Sequence, residues 1–167
     1  TVFIGYDQQC AECRIQRYLI ADDGQLHLQL NQTPFYAESG GQVGDTGKIH
    51  NDDFEMEVSN VVKSGDFFVH IGTLTRGQVL PGQVIAEIDV SRRKDTARNH
   101  TAPHLLHKAL RSVLGEHVQQ KGSLVSPHHL RFDFTHVKGL NRNQVTSIEN
   151  IVNQAVRENR PVSIAIK

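Results

Sequence analysis

Hydrophobic positions change their rhythm near residue 90. Before it they recur every second residue in short stretches: Leu26/Leu28/Leu30, Phe54/Met56/Val58 and Val84/Ala86/Ile88/Val90. Phe67 to Ile71 is a short apolar run, and Arg14 to Ile20 is mixed in character. A period of two places such side chains on one face of a sheet. Turn signals separate the stretches at Asp23-Gly24, Gly40-Gly41, Ser64-Gly65 and Pro81-Gly82. Short strands at this spacing predict a small β-barrel over residues 1–90.

After Val90 the spacing becomes helical. Ser91 to Leu114 predicts a helix stopped by Gly115, with Leu106, Leu110, Val113 and Leu114 on its core face. Ser123 to Val125 and Leu130 to Phe134 predict a strand pair around Ser126-Pro127, with Leu130, Phe132 and Phe134 pointing inward. A second amphipathic helix follows, with Asn141 as N-cap and a stripe of Val145, Ile148, Val152, Ala155 and Val156. Asn159-Arg160-Pro161 ends it, and Val162 to Ile166 predicts a last strand. The expectation is an α+β protein: a barrel over 1–90, then an α-β-β-α-β core over 91–167, with no internal repeat.

The charge balance narrows the partners. Lysines and arginines number 18, as do aspartates and glutamates, so the net charge is zero. Broad electrostatic nucleic-acid binders are usually strongly basic. Recognition of one RNA end in a pocket remains compatible. Arg92, Arg93, Lys94 and Arg98 cluster, and read equally as a solvated helix face or as an RNA-facing patch. No apolar run approaches the ~20 residues of a membrane span, and no signal pattern opens the chain, so the expectation is cytoplasmic.

Candidate chemistry begins with His100 and His104. At i and i+4 on a helix they share a face and can hold one metal ion together. Spacing alone is weak evidence, since ten histidines in 167 positions give roughly 0.6 such pairs by chance. Thr101 follows His100, so the H-E-x-x-H metalloprotease motif is absent. His107 lies off the shared face, and it reads, with His128, His129 and His136, as a surface histidine. Cys10 and Cys13 form a single C-x-x-C: a redox pair, half of a zinc site, or incidental residues. The incidental reading is preferred because no second C-x-x-C follows. Pro103 predicts a helix start or kink near Asn99 to Ala102, leaving backbone N–H groups free beside His100. Finally, Thr33 to Gly47 contains four glycines. It reads as an anion-binding nest or as a pair of tight turns.

That last stretch, Thr33-Pro34-Phe35-Tyr36-Ala37-Glu38-Ser39-Gly40-Gly41-Gln42-Val43-Gly44-Asp45-Thr46-Gly47, closely resembles a signature of alanyl-tRNA synthetases. Arg98-Asn99-His100-Thr101-Ala102-Pro103-His104-Leu105-Leu106-His107 resembles the editing motif of the same family. Gln119 to Ser123, Leu130 to Phe134 and the opening Phe3-Ile4-Gly5-Tyr6 fit the family too, in its order. The glycine-rich match is highly specific, whereas the histidine pair alone is not.

The resemblance implies a barrel followed by the editing core of threonyl- and alanyl-tRNA synthetases. It implies hydrolysis of the ester joining serine or glycine to the 3′ adenosine of alanine tRNA, the partner being that 3′ end with its attached amino acid; membrane and DNA are not expected partners. It implies zinc held by His100 and His104, with a cysteine and a third histidine from a later C-x-x-x-H motif that does not occur before Lys167. On that basis zinc is expected to bind this chain weakly or not at all. Gln120 matches a pocket glutamine, and Gly40, Gly41, Gln42 and Pro103 are further candidates for substrate contact. Pro103 stands where threonine is common in the family, so no hydroxyl comes from this position. No catalytic base or nucleophile stands out. The ATP site of a full-length ligase has no motif in this segment. The alternatives are a freestanding alanyl-tRNA deacylase-like protein and a non-catalytic module that binds an RNA 3′ end.

Overall fold

The alternating stretches close on themselves. The structure, a computed structural model, describes residues 1–162 of the chain. Strands β1 (Val2–Phe3), β2 (Cys10–Ile20), β3 (Leu26–Leu30), β4 (Gln32–Thr33), β5 (Gly47–His50), β6 (Phe54–Ser64), β7 (Phe67–Gly77) and β8 (Gln83–Ile88) fill the first half. Six of them form a closed barrel in the order β2-β3-β7-β6-β5-β8, every pairing antiparallel. Two bulges between β6 and β7, with Ser59 the extra residue on β6 and Thr75 the extra residue on β7, give these long strands the bend that closure needs. The alternating residues point inward as their period requires: Leu28, Leu30, Ile49, Phe54, Met56 and Ala86 are fully buried. The short strands β1, β4 and β5 carry too few residues for a period to register, and the sequence pattern misses them. Strand β2 begins at Cys10, earlier than its mixed pattern implies, because Cys13 and Ile15 alternate into the core.

Helix α1 (Val90–Leu114) starts where the barrel ends. Val90, which continues the alternation of β8, is its first residue instead. Asp89 ends the strand by acting as N-cap, its carboxylate accepting the Arg92 N–H at 2.9 Å. The helix start predicted near Pro103 does not occur: α1 runs from Val90 to Leu114 as one helix, with Pro103 buried inside it. Proline there costs about 3 kcal/mol and deprives the Asn99 carbonyl of its helical donor. Contacts on both sides offset that cost, with the barrel holding the first turns and Ala109 and Leu110 buried in the second core. The N–H groups around His100 therefore lie inside the helix, not at an open N-terminus.

The predicted strand pair follows as an antiparallel hairpin, β9 (Gln120–Val125) and β10 (Leu130–Phe134), with β9 starting three residues early. Helix α2 (Arg142–Glu158) opens on a full capping box: Asn141 accepts the Gln144 N–H at 2.9 Å, and the Gln144 side chain accepts the Asn141 N–H at 3.0 Å. Leu106, Val113, Phe132, Phe134 and Val152 pack around the buried Ala109, Leu110, Val118 and Ile148. Of the predicted stripe on α2, Ile148 is buried while Val145 and Val156 are exposed. An open apolar groove lies between α1 and α2, lined by Ala102, Leu105, Ile151 and Ala155 among others. The strand expected over Val162 to Ile166 falls, after Val162, outside the described residues.

Candidate functional site

Three separate parts of the sequence meet where the barrel touches α1. The glycine-rich segment leaves β4 and runs against β9. Gly41 accepts the Val125 N–H at 2.7 Å, and Val43 donates to the Val125 carbonyl at 3.1 Å. Gln42 and Val125 form a parallel bridge, so the loop adds a short strand to the hairpin. Gly40 and Gly41 have φ values of 60° and 83°, which L side chains rarely adopt. Their surroundings differ. A Cβ on Gly40 meets nothing within 4 Å, whereas one on Gly41 collides with the backbone and hydroxyl of Ser123. Gly40→Ala is therefore expected to cost about 1 kcal/mol of strain. Gly41→Ala adds a collision with backbone that cannot rotate away, and about 2 kcal/mol or more is expected. Urea midpoints of the two variants check the order, and equal losses would contradict it.

From α1, His100 and His104 lie one turn apart with ring centroids 5.8 Å from each other and planes 13° from parallel. The side-chain carbonyl of Gln42 reaches His100 Nδ1 at 2.5 Å. Gln42 is only 7% exposed. Burial, together with the neighbouring His104, holds His100 below the usual histidine range. Asn99 donates from its amide to the carbonyls of Ser126 and Pro127, at 2.8 and 3.1 Å, tying the β9–β10 turn to α1. Gln120 is exposed at the start of β9 and donates to Ser123 Oγ at 3.2 Å. His100, Gln42, Gly41, Ser123 and Gln120 thus form an unbroken sequence of contacts. Pro103 is buried and has no polar group to offer. None of these residues lines the groove between α1 and α2.

The pair has the right donors for half of a tetrahedral zinc set, two imidazoles at i and i+4. Among the described residues no group of three or more histidine, cysteine, aspartate or glutamate side chains gathers at one point. Both cysteines are free, Cys10 exposed and Cys13 inside the barrel core. Burial and the neighbouring Cys10 push the Cys13 thiol up to about 11, which suits a packed residue and not a ligand or redox thiol.

The basic cluster proves to be divided. Lys94 and Arg98 are exposed. Arg92 donates to the Gly44 carbonyl at 2.8 Å, and Arg93 turns inward to pair with the buried Asp45. Arg93 also donates to the carbonyls of Gly5 and Pro34, each at 2.9 Å. Seven residues separate Arg93 from His100, so at 100° per residue they lie about 20° apart around the helix axis. Anchoring Arg93 in the barrel therefore sets the rotation that turns His100 toward Gln42. Sequence reasoning missed this; the i, i+7 spacing was the available signal. His107, predicted at the surface, is half-buried against Phe132 and donates from Nε2 to the Val118 carbonyl at 3.3 Å.

Comparison with known proteins adds an independent line. The family tRNA synthetases class II (A) matches residues 10–92, the barrel and the first residues of α1. An alanine–tRNA ligase of Fusobacterium nucleatum is 47% identical over 99% of this chain. Those of Hydrogenovibrio crunogenus and Cereibacter sphaeroides are 48% and 45% identical over 97% and 99% of it. The chain spans 19% to 20% of the length of these relatives.

Proposed function

Because this chain belongs to the alanyl-tRNA synthetase family, we propose that it carries the family's editing site, hydrolysing seryl or glycyl esters on the 3′ end of alanine tRNA. The observation that carries this reading is the meeting of the glycine-rich loop with the histidine pair, through Gln42 and His100 at 2.5 Å. That contact, between residues fifty-eight positions apart, brings the two segments that carry the family resemblance to one place.

The reaction answers a physical problem. A synthetic pocket cannot easily exclude a residue smaller than its substrate, nor strongly reject an added hydroxyl, so a second hydrolytic site is the usual remedy. Such a site discriminates when it hydrogen-bonds the serine hydroxyl that alanine lacks. Gln120, exposed with its amide at the β9 edge, is the residue here with that capacity. Gly40, open above its backbone, allows close approach of a ligand carbonyl or phosphate. His100 and His104 would hold zinc with two donors from elsewhere, and zinc there would supply a Lewis acid to polarise the ester or to activate water. Buried Gln42 fixes His100, and Asn99 fixes the hairpin that carries Gln120.

The test is release of serine from seryl-tRNA for alanine by the full-length gene product with zinc present. Rapid release is expected, with alanyl-tRNA spared, and His100→Ala or His104→Ala should slow it by about 100-fold or more. RNA-end binding without release, in the unaltered protein, would favour the non-catalytic module.

A further inference from the structure

We propose that Gln42 is a positioning residue that holds His100 as its Nδ1–H tautomer, leaving Nε2 as the ring nitrogen free to take a ligand; this rests on the editing reading above. A neutral imidazole carries one donor and one acceptor nitrogen. The group facing Nδ1 is the side-chain carbonyl oxygen of Gln42, at 2.5 Å, and an amide oxygen only accepts. The proton must therefore sit on Nδ1. Among the described residues Nε2 of His100 has no hydrogen-bond partner. With the amide turned round, its NH₂ would face Nδ1, the proton would move to Nε2, and that nitrogen would be closed to a metal or to an incoming proton donor.

The sequence alone suggests Gln42 as a substrate contact. Three features favour the positioning role. Gln42 is buried, so water does not compete for its carbonyl. Its backbone is held on both sides: it donates to the Ser39 carbonyl at 3.0 Å and accepts from the Ser39 N–H at 3.2 Å, while Val43 is fixed to Val125. Gly41, with φ of 83°, makes the turn that brings this backbone against β9. The side chain is thus delivered to His100 from a different subdomain, on a rigid element. Groups that orient a histidine through its far nitrogen commonly alter metal affinity by about 10–100-fold when removed.

The tautomer is directly observable. The chain is labelled with nitrogen-15 in its histidine rings, and long-range proton–nitrogen spectra are recorded without metal at a pH where the rings are neutral. Signals are assigned with His100→Ala. The expected result is a His100 ring protonated at Nδ1, with Gln42→Leu losing that preference and Gln42→Glu keeping it, since a carboxylate also accepts. Backbone spectra of both variants check that they fold. A His100 ring protonated at Nε2 in the unaltered chain, or a tautomer unchanged in Gln42→Leu, would overturn the proposal. Zinc affinity of the full-length protein provides the second arm: about 10–100-fold weaker binding is expected for Gln42→Leu, restored in Gln42→Glu. A tautomer that responds as expected while zinc ignores both histidines would uphold the positioning role and sink the zinc-editing reading, so the two failures are separable.

Discussion

Replacing Asp45 by alanine is expected to remove about 3–5 kcal/mol of folding stability, the loss typical of breaking one partner of a buried ion pair. The Asp45 side chain is 4% exposed and that of Arg93 18%. Arg93 Nε donates to both carboxylate oxygens at 2.9 Å, and its Nη2 closes the fork on the same carboxylate. The carboxylate also accepts the Tyr36 N–H at 2.7 Å. Removing it leaves a buried guanidinium with only the carbonyls of Gly5 and Pro34 as partners. Desolvation of that charge, more than the lost attraction, makes the single substitution costly. Arg93→Met should destabilise by a similar amount, because it strands the carboxylate. The pair replaced together by Arg93→Met and Asp45→Ala should fall well short of the sum of the two single losses, since neither charge is then left buried. Urea unfolding of the four proteins gives the cycle, and a single-variant loss below about 1 kcal/mol would mean the pair behaves as a solvated surface bridge. The same substitutions free the rotation of α1, so the His100 ring signals should shift in any Asp45 variant that remains folded.

Stability is also expected to fall by about 3 kcal/mol between pH 7 and pH 4 through His70 alone. This ring is fully buried in the barrel wall. Its Nδ1 donates to the Leu28 carbonyl at 2.9 Å, and its Nε2 accepts from the Thr33 hydroxyl at 2.7 Å. Both nitrogens are satisfied in the neutral form, and protonation at Nε2 would oppose the Thr33 donor. Burial pushes the ring down to about 4, against an ordinary value of 6.5. The folded state therefore refuses a proton that the unfolded state accepts. Stability from this group is complete above pH 6.5, declines as pH falls toward 4, and changes no further below that. His70→Gln should lose this component of the pH slope, whatever its stability at pH 7. Parallel slopes for the two proteins between pH 7 and 4 would show that His70 titrates normally. The consequence reaches the site, because Thr33 is the first residue of the glycine-rich segment, and its hydroxyl also accepts the Phe35 N–H at 3.1 Å.

The sequence by itself determined the class of fold and where its character changes. Period-two alternation over Leu26–Leu30, Phe54–Val58 and Val84–Ile88, and the helical spacing of Leu106 to Leu114, are local statements about which face is buried. Local periodicity survives into any tertiary structure that buries that face. Asn141 and Gly115 were legible for the same reason, since a cap satisfies backbone groups within its own turn. The glycine-rich segment and the histidine pair stood out as chemistry, one by its long resemblance and the other by its spacing. Their meeting was not legible. Gln42 and His100, Asp45 and Arg93, and Thr33 and His70 are joined only when the barrel closes and α1 docks on it, and no periodicity encodes a contact across so many residues. Pro103 erred in the opposite direction. A local rule predicted a break, but the helix is held by the barrel on one side and by a packed core on the other, and those contacts outweigh one missing hydrogen bond. Arg93 could pass for a solvated charge because a side chain's environment is set by what packs over it, and here that cover comes from Gly5, Pro34 and Asp45, forty-eight or more residues away in the chain.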